Sequence, residues 1–226
     1  MKRIAVIFLM CALQLGAVGG LEAMAMDLNM TKSMTYEVML DDKMFSITSP
    51  VVPDREFAQH HPVISLRDNE LFKSSGVGVT ALKLNWTYKD GLLFKSVSGV
   101  LEMRVLAFAA RSSVSTPEQL KLGILDGFKS DTVLAKLGYA GGGISFEEIE
   151  INKRTWLTYA APVTGEREYA IALSDDRYLV VSFGLINNTR GQPLVWQEKA
   201  RALMAQLVAS MKLDKKPSAA GTVSEA

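Results

Sequence analysis

The segment Leu82-Lys83-Leu84-Asn85-Trp86-Thr87-Tyr88-Lys89 alternates apolar and polar residues without a break. A period of two puts Leu82, Leu84, Trp86 and Tyr88 on one face of a half-buried strand. Asp90-Gly91 after it is a preferred turn pair, and residues 92–97 return. Ser98-Gly99 reads as a second turn, after which Leu101, Met103, Val105 and Ala107 mark one face of another strand. The expectation is a three-stranded meander.

Upstream, residues 36–40 and 44–48 flank Asp41-Asp42-Lys43 and read as a hairpin. Residues 49–79 carry Pro50, Pro53, Pro62, Gly76 and Gly78, a long loop with one short helix near 54–59. Downstream, Thr116 is an N-cap, Pro117 the first helical residue, and Gln119 completes a capping box. Leu120, Ile124 and Phe128 then share a helix face, and a short second segment at 132–137 stops at Gly138. Two hairpins follow, 144–151 with 154–160 and 167–173 with 177–185. Pro193 opens a final helix whose Trp196, Ala200, Leu203, Leu207 and Met211 recur at helical spacing, and Ser210-Met211-Lys212-Leu213 adds an edge strand. The expected class is α+β: one antiparallel β-sheet of about six to eight strands flanked by two main amphipathic helices.

Residues 1–25 read as a cleaved signal peptide. Lys2 and Arg3 are followed by an apolar run over 4–15, and Ala23-Met24-Ala25 supplies the small residues that signal peptidase requires. A run of this length is short of the roughly 20 residues that span a bilayer, so no integral membrane segment is expected after cleavage. A lipoprotein reading of Cys11 fails on context, because Phe8-Leu9-Met10 precedes it. Of 25 basic and 24 acidic residues, cleavage after Ala25 removes Lys2, Arg3 and Glu22, leaving 23 of each. A neutral chain exerts no global pull on nucleic acid. Cleavage also removes the only cysteine, so the mature chain has no disulfide and no thiol nucleophile. A single domain over 26–213 is expected, and a disordered tail over 214–226, which has almost nothing to bury.

No catalytic, cofactor or metal motif emerges. His60-His61 is the one imidazole pair, and adjacent residues point apart on a strand or a helix, a poor chelate. Asp54, Glu56 and Asp68 would be the further ligands, with no recognised spacing. Gly-x-Ser-x-Gly and Ser-x-x-Lys are both absent, and Gly76-Val77-Gly78 and Gly141-Gly142-Gly143 are not phosphate cradles. Asp41-Asp42 and Asp175-Asp176 sit in turns, where Asp bonds locally. Trp86, Tyr88, Trp156, Tyr159 and Trp196 are core residues by default and groove-lining residues by alternative.

Met44-Phe45-Ser46-Ile47-Thr48-Ser49-Pro50, the paired hairpins of 144–185 and the closing helix with Ser210-Met211-Lys212-Leu213 together resemble the PsbP-like superfamily, including DcrB-type bacterial envelope proteins. That resemblance implies an antiparallel sheet with helices, an accessory or binding role, and no shared catalytic residues. The expectation is therefore an exported periplasmic accessory or binding protein without catalytic activity or cofactor. Its partner would be an envelope protein or a small ligand. The alternative is an envelope hydrolase with an unsignatured site near His60/His61.

Overall fold

The structure is a computed structural model that describes residues 33–67, 78–90, 96–131, 134, 136, 143–162, 165–188 and 195–215. The expected signal peptide, the segment at 132–137 apart from Leu134 and Lys136, and the chain after Lys215 lie outside these residues. In chain order the elements are β1 (Met34–Leu40), β2 (Lys43–Ser49), a 3-10 turn (Arg55–Phe57), β3 (Gln59–His60), β4 (Val63–Ile64), β5 (Val79–Asp90) and β6 (Ser96–Ala109). Then come α1 (Pro117–Ser130), β7 (Phe146–Ile151), β8 (Arg154–Ala160), β9 (Arg167–Ser174), β10 (Arg177–Asn187), α2 (Val195–Ser210) and β11 (Lys212–Lys215). β11 is an edge strand, as its sequence suggests, and it runs on through Asp214 and Lys215.

The strands form two sheets, a seven-stranded one ordered β3-β5-β6-β10-β9-β8-β7 and a four-stranded one ordered β11-β2-β1-β4. This corrects the expected α+β class with one sheet of six to eight strands flanked by two helices: the described residues are mostly strand, in two sheets. The reason lies in the first hairpin. β2 takes β11 on one side and β1 takes β4, in parallel, on the other. Its inward residues Val38, Leu40, Phe45 and Ile47 are buried, so the hairpin founds a sheet that must itself be covered.

The expected meander is also corrected. β6 passes unbroken through Ser98-Gly99, so β5 and β6 are two long strands, and residues 91–95 lie outside the described chain. Tyr88 faces Gly99 and Lys89 faces Val97, so Ser98 is an extra residue in the ladder, a bulge rather than a turn. Gly99 answers a different need. A Cβ there would stand 2.1 Å from the Trp196 ring, so only glycine lets α2 lie this close.

One face of the large sheet, carrying Leu84, Met103, Val181 and Phe183, packs against both the small sheet and Trp196, Ala200, Leu203 and Leu207 of α2. The opposite face, carrying Leu157, Tyr159, Ala170, Tyr178 and Val180, packs under Leu120 and Ile124 of α1. Strand alternation produces the division: Leu179, Val181 and Phe183 point one way and Tyr178 and Val180 the other. The end of α2 ties the layers together. Ser210 Oγ accepts from Thr48 N at 2.9 Å and donates to Thr48 O at 3.0 Å, while Asn152 Nδ2 donates to Met211 O at 2.7 Å. Among the described residues, no helix is long and apolar enough to cross a membrane.

Candidate functional site

β8 and β9 pair only from Leu157↔Ala170 to Ala160↔Arg167. Before Leu157, β8 stays with β7, and after Ala170, β9 stays with β10, with a register shift between Arg177 and Tyr178. The two strands therefore part, and residues 154–156 and 171–173 face one another with no ladder between them. A cavity of about 300 Å³ fills the gap. That volume stands at the lower end of the range for small-molecule sites.

Local chemistry fixes each wall. Asn152 and Lys153 take φ of 48° and 63°, the left-handed pair of a two-residue hairpin, and Arg154 follows at once. The start of α1 is held by its capping box, with Thr116 Oγ1 accepting from Gln119 N and the Gln119 side chain accepting from Thr116 N. Ser115 Oγ donates to Asp175 Oδ1 at 2.6 Å and Val114 N to Asp175 O at 2.7 Å, which docks this start on the β9–β10 turn. Lys43 enters from β2, beside the Asp41 turn, where Asp41 accepts from Leu66 N and pairs with Arg177 at 3.2 Å.

The resulting cavity has an apolar body and a basic rim. Leu120, Leu157, Ile171, Leu173 and Leu213 supply the body. Half-buried Lys43 and exposed Arg154 supply two positive charges, and Ser115, Thr116 and Thr155 supply hydroxyls. No carboxylate lines it, and neither cation has a carboxylate partner among the described residues. This arrangement suits an anion with an apolar tail.

A second cavity, of about 120 Å³, lies beneath the other end of α1. Its floor holds Glu168, whose carboxylate accepts hydrogen bonds from Tyr159 and Ser182. Burial pushes this carboxyl above the usual range, and the two hydrogen bonds work against that shift. Burial also pushes the Tyr159 and Tyr178 hydroxyls well above 10, with the Glu168 charge adding to each.

The sequence-predicted positions fall elsewhere. His60 lies on exposed edge strand β3, its Nε2 2.8 Å from Glu37 O and its ring edge-on to Tyr36 at 5.7 Å. His61 is exposed and its backbone N–H donates to Ala81 O. Asp54 accepts from Thr87, and no group of three His, Cys, Asp or Glu side chains among the described residues is placed to hold a metal. Trp156, Trp196 and Tyr159 are core residues, and Tyr159 also borders the second cavity. Ala23 and Ala25 lie outside the described residues. Sequence reasoning misses Lys43, Arg154 and Glu168, because Lys43 and Arg154 look like turn flanks and Glu168 like a solvated strand residue. Comparison with protein-family models, with curated proteins and with solved structures found no match.

Proposed function

We propose that the chain is an exported accessory or binding protein of the cell envelope that takes a small anionic amphiphile in the cleft between β8 and β9. The parting of these two strands around an apolar cavity rimmed by Lys43 and Arg154 carries the reading. The apolar body supplies burial for a short chain, about 0.8 kcal/mol per CH₂. The two cations supply charge-assisted hydrogen bonds to a carboxylate or phosphate head. The Ala23-Met24-Ala25 sequence supports export, and the PsbP-like resemblance supports an accessory role.

Calorimetric titration of the mature protein with decanoate tests the site. Saturable binding should weaken by about tenfold or more in Lys43→Ala/Arg154→Ala, a difference of ~1.4 kcal/mol, while the melting curve stays in place. Decanol, which lacks the charge, should show the same weakening on the unaltered protein. Equal affinity in the double variant, or no saturable heat with decanoate, overturns the reading. N-terminal sequencing of the exported protein should begin at Met26, and a lipid on Cys11 would contradict that address.

A further inference from the structure

We propose that the smaller cavity, beneath the C-terminal half of α1, is a binding site for a small organic ammonium ion, held by the Glu168 carboxylate within the rings of Phe108, Phe128, Tyr159 and Tyr178. It is a separate site from the cleft between β8 and β9 and stands or falls independently of it. Glu168 faces Tyr159 across the β8–β9 ladder, and both side chains turn toward α1. Of the carboxylate's four or so lone-pair directions, two are taken by Tyr159 and Ser182, which leaves room for an incoming N–H or a cationic head.

The missing partner is a positive charge. Among the described residues, no Lys, Arg or His lines this cavity. Arg104, opposite Ser182 on β6, is held by Glu102 at 2.5 Å, and the same Glu102 holds Lys83 at 2.8 Å. Lys129 of α1 faces Asp126, and Arg167 of β9 pairs with Glu147 at 3.1 Å. A half-buried carboxylate among rings, without a counter-charge lining its cavity, is costly, and a ligand that brings the charge with it recovers that cost.

The walls specify an organic cation rather than a metal. Phe108 and Tyr178 stack at 5.2 Å and 13°, and Phe128 meets Tyr159 edge-on at 5.9 Å. Ring faces attract alkylammonium heads, whereas one carboxylate with hydroxyls is a thin ligand set for a divalent ion. Gly127 forms part of the roof, and a Cβ there would stand 3.2 Å from Tyr178 Oη. A side chain at position 127 would therefore intrude on the cavity, whose volume of about 120 Å³ limits the ligand to a head of a few carbons.

Choline is a suitable probe, because its charge does not titrate, and 3,3-dimethyl-1-butanol is its neutral isostere. Titration of the mature protein, followed by calorimetry, should show saturable choline binding and about tenfold or more weaker binding of the alcohol, ~1.4 kcal/mol. Gly127→Leu should abolish choline binding while leaving decanoate binding in the other cleft unchanged. Glu168→Gln should weaken choline by a similar factor. In the unaltered protein affinity should fall as pH is lowered through the Glu168 titration, and the profile should be flat in Glu168→Gln. Asp131, the other acid on this rim, is checked by Asp131→Asn, which should keep the profile. Tyr159 and Tyr178 stay protonated across that range. No choline binding, equal binding of the alcohol, or a profile lost in Asp131→Asn and kept in Glu168→Gln overturns the proposal. If Glu168→Gln does not fold, Gly127→Leu and the isostere pair decide it alone.

Discussion

The two faces of the seven-stranded sheet are covered by different amounts of chain. One carries a second sheet and α2 together, and Trp156, Trp196, Phe45 and Phe183 on that side are almost wholly buried. The other carries, among the described residues, chiefly α1. A helix with its side chains is about 10–12 Å across, whereas seven strands at their usual spacing span roughly 29 Å. One helix cannot roof such a surface: the smaller of the two cavities lies beneath its C-terminal half, and its N-terminal end borders the cleft between β8 and β9. The first face keeps a hollow of about 90 Å³ beside Trp86 and Leu203. The contrast separates two tasks: the doubly covered face supplies most of the stability, the smaller cavity lies wholly on the thinly covered face, and the cleft between β8 and β9 opens through the sheet, with Lys43 and Leu213 of the small sheet closing its far side.

The sharpest attempt to break this comparison is Leu203→Ala/Leu207→Ala against Leu120→Ala. Leu207 is fully buried and Leu203 nearly so, both against the doubly covered face. Each truncation should cost about 2–5 kcal/mol, because a cavity is added to the lost transfer energy. A domain has only about 5–15 kcal/mol in total, so the double variant should lose its cooperative thermal transition. Leu120 already borders the larger cavity, so its truncation should fall at the low end of the same range. Equal losses per leucine in the two variants, read from denaturant curves, would erase the distinction between the faces.

A glycine on each face sharpens it at smaller scale. Gly99→Ala drives a Cβ into the Trp196 ring and should cost about 1–3 kcal/mol of overpacking. Gly184, on β10, has nothing within 4 Å of the corresponding Cβ position, and Gly184→Ala should stay within about 0.5 kcal/mol of neutral. At roughly 2–4 °C per kcal/mol for a domain of this size, differential scanning calorimetry resolves the two. A drop for Gly184→Ala matching that for Gly99→Ala would show that the second face is packed as tightly as the first.

What was legible in the sequence was local. The Thr116–Gln119 capping box, the Asn152-Lys153 turn and the apolar stripe of α2 each depend on residues a few positions apart, and each is present. Features set by distant partners were not legible. Gly99 looks like a turn residue because the ring that needs the space arrives from α2. The second sheet depends on β11 returning from the chain's end to β2, and the cleft depends on where the β8–β9 ladder stops. Glu168 did leave a signal. In Arg167-Glu168-Tyr169-Ala170-Ile171-Ala172, a period of two sets the acid in one row with Ala170, which is buried under α1. A charge in a row of small positions, next to a buried one, marks a group that is held there partly against its own hydration.

The smallest expected effect concerns that same carboxyl in the absence of any ligand. Burial raises its pKa in the folded chain, so the neutral form is favoured there relative to the unfolded chain. The contribution to stability is fully present below the unfolded Glu value and is lost as pH rises through the higher folded value. Glu168→Gln keeps the shape and an acceptor for Tyr159 and Ser182 but cannot ionise. Near pH 4 the two proteins should melt close together. As pH rises toward 7 the unaltered protein should fall behind the variant, and the gap should level off once the folded carboxyl is ionised. Glu102, which holds Lys83 and Arg104 on the same sheet face, is the opposite case, because its carboxylate already has its counter-charges. Glu102→Gln should therefore lower the melting temperature at pH 7, where Glu168→Gln raises it. Thermal melts of both variants across this pH range test the comparison, and a Glu168→Gln protein that becomes progressively less stable than the unaltered chain as pH rises would show that the carboxyl is compensated by a charge after all.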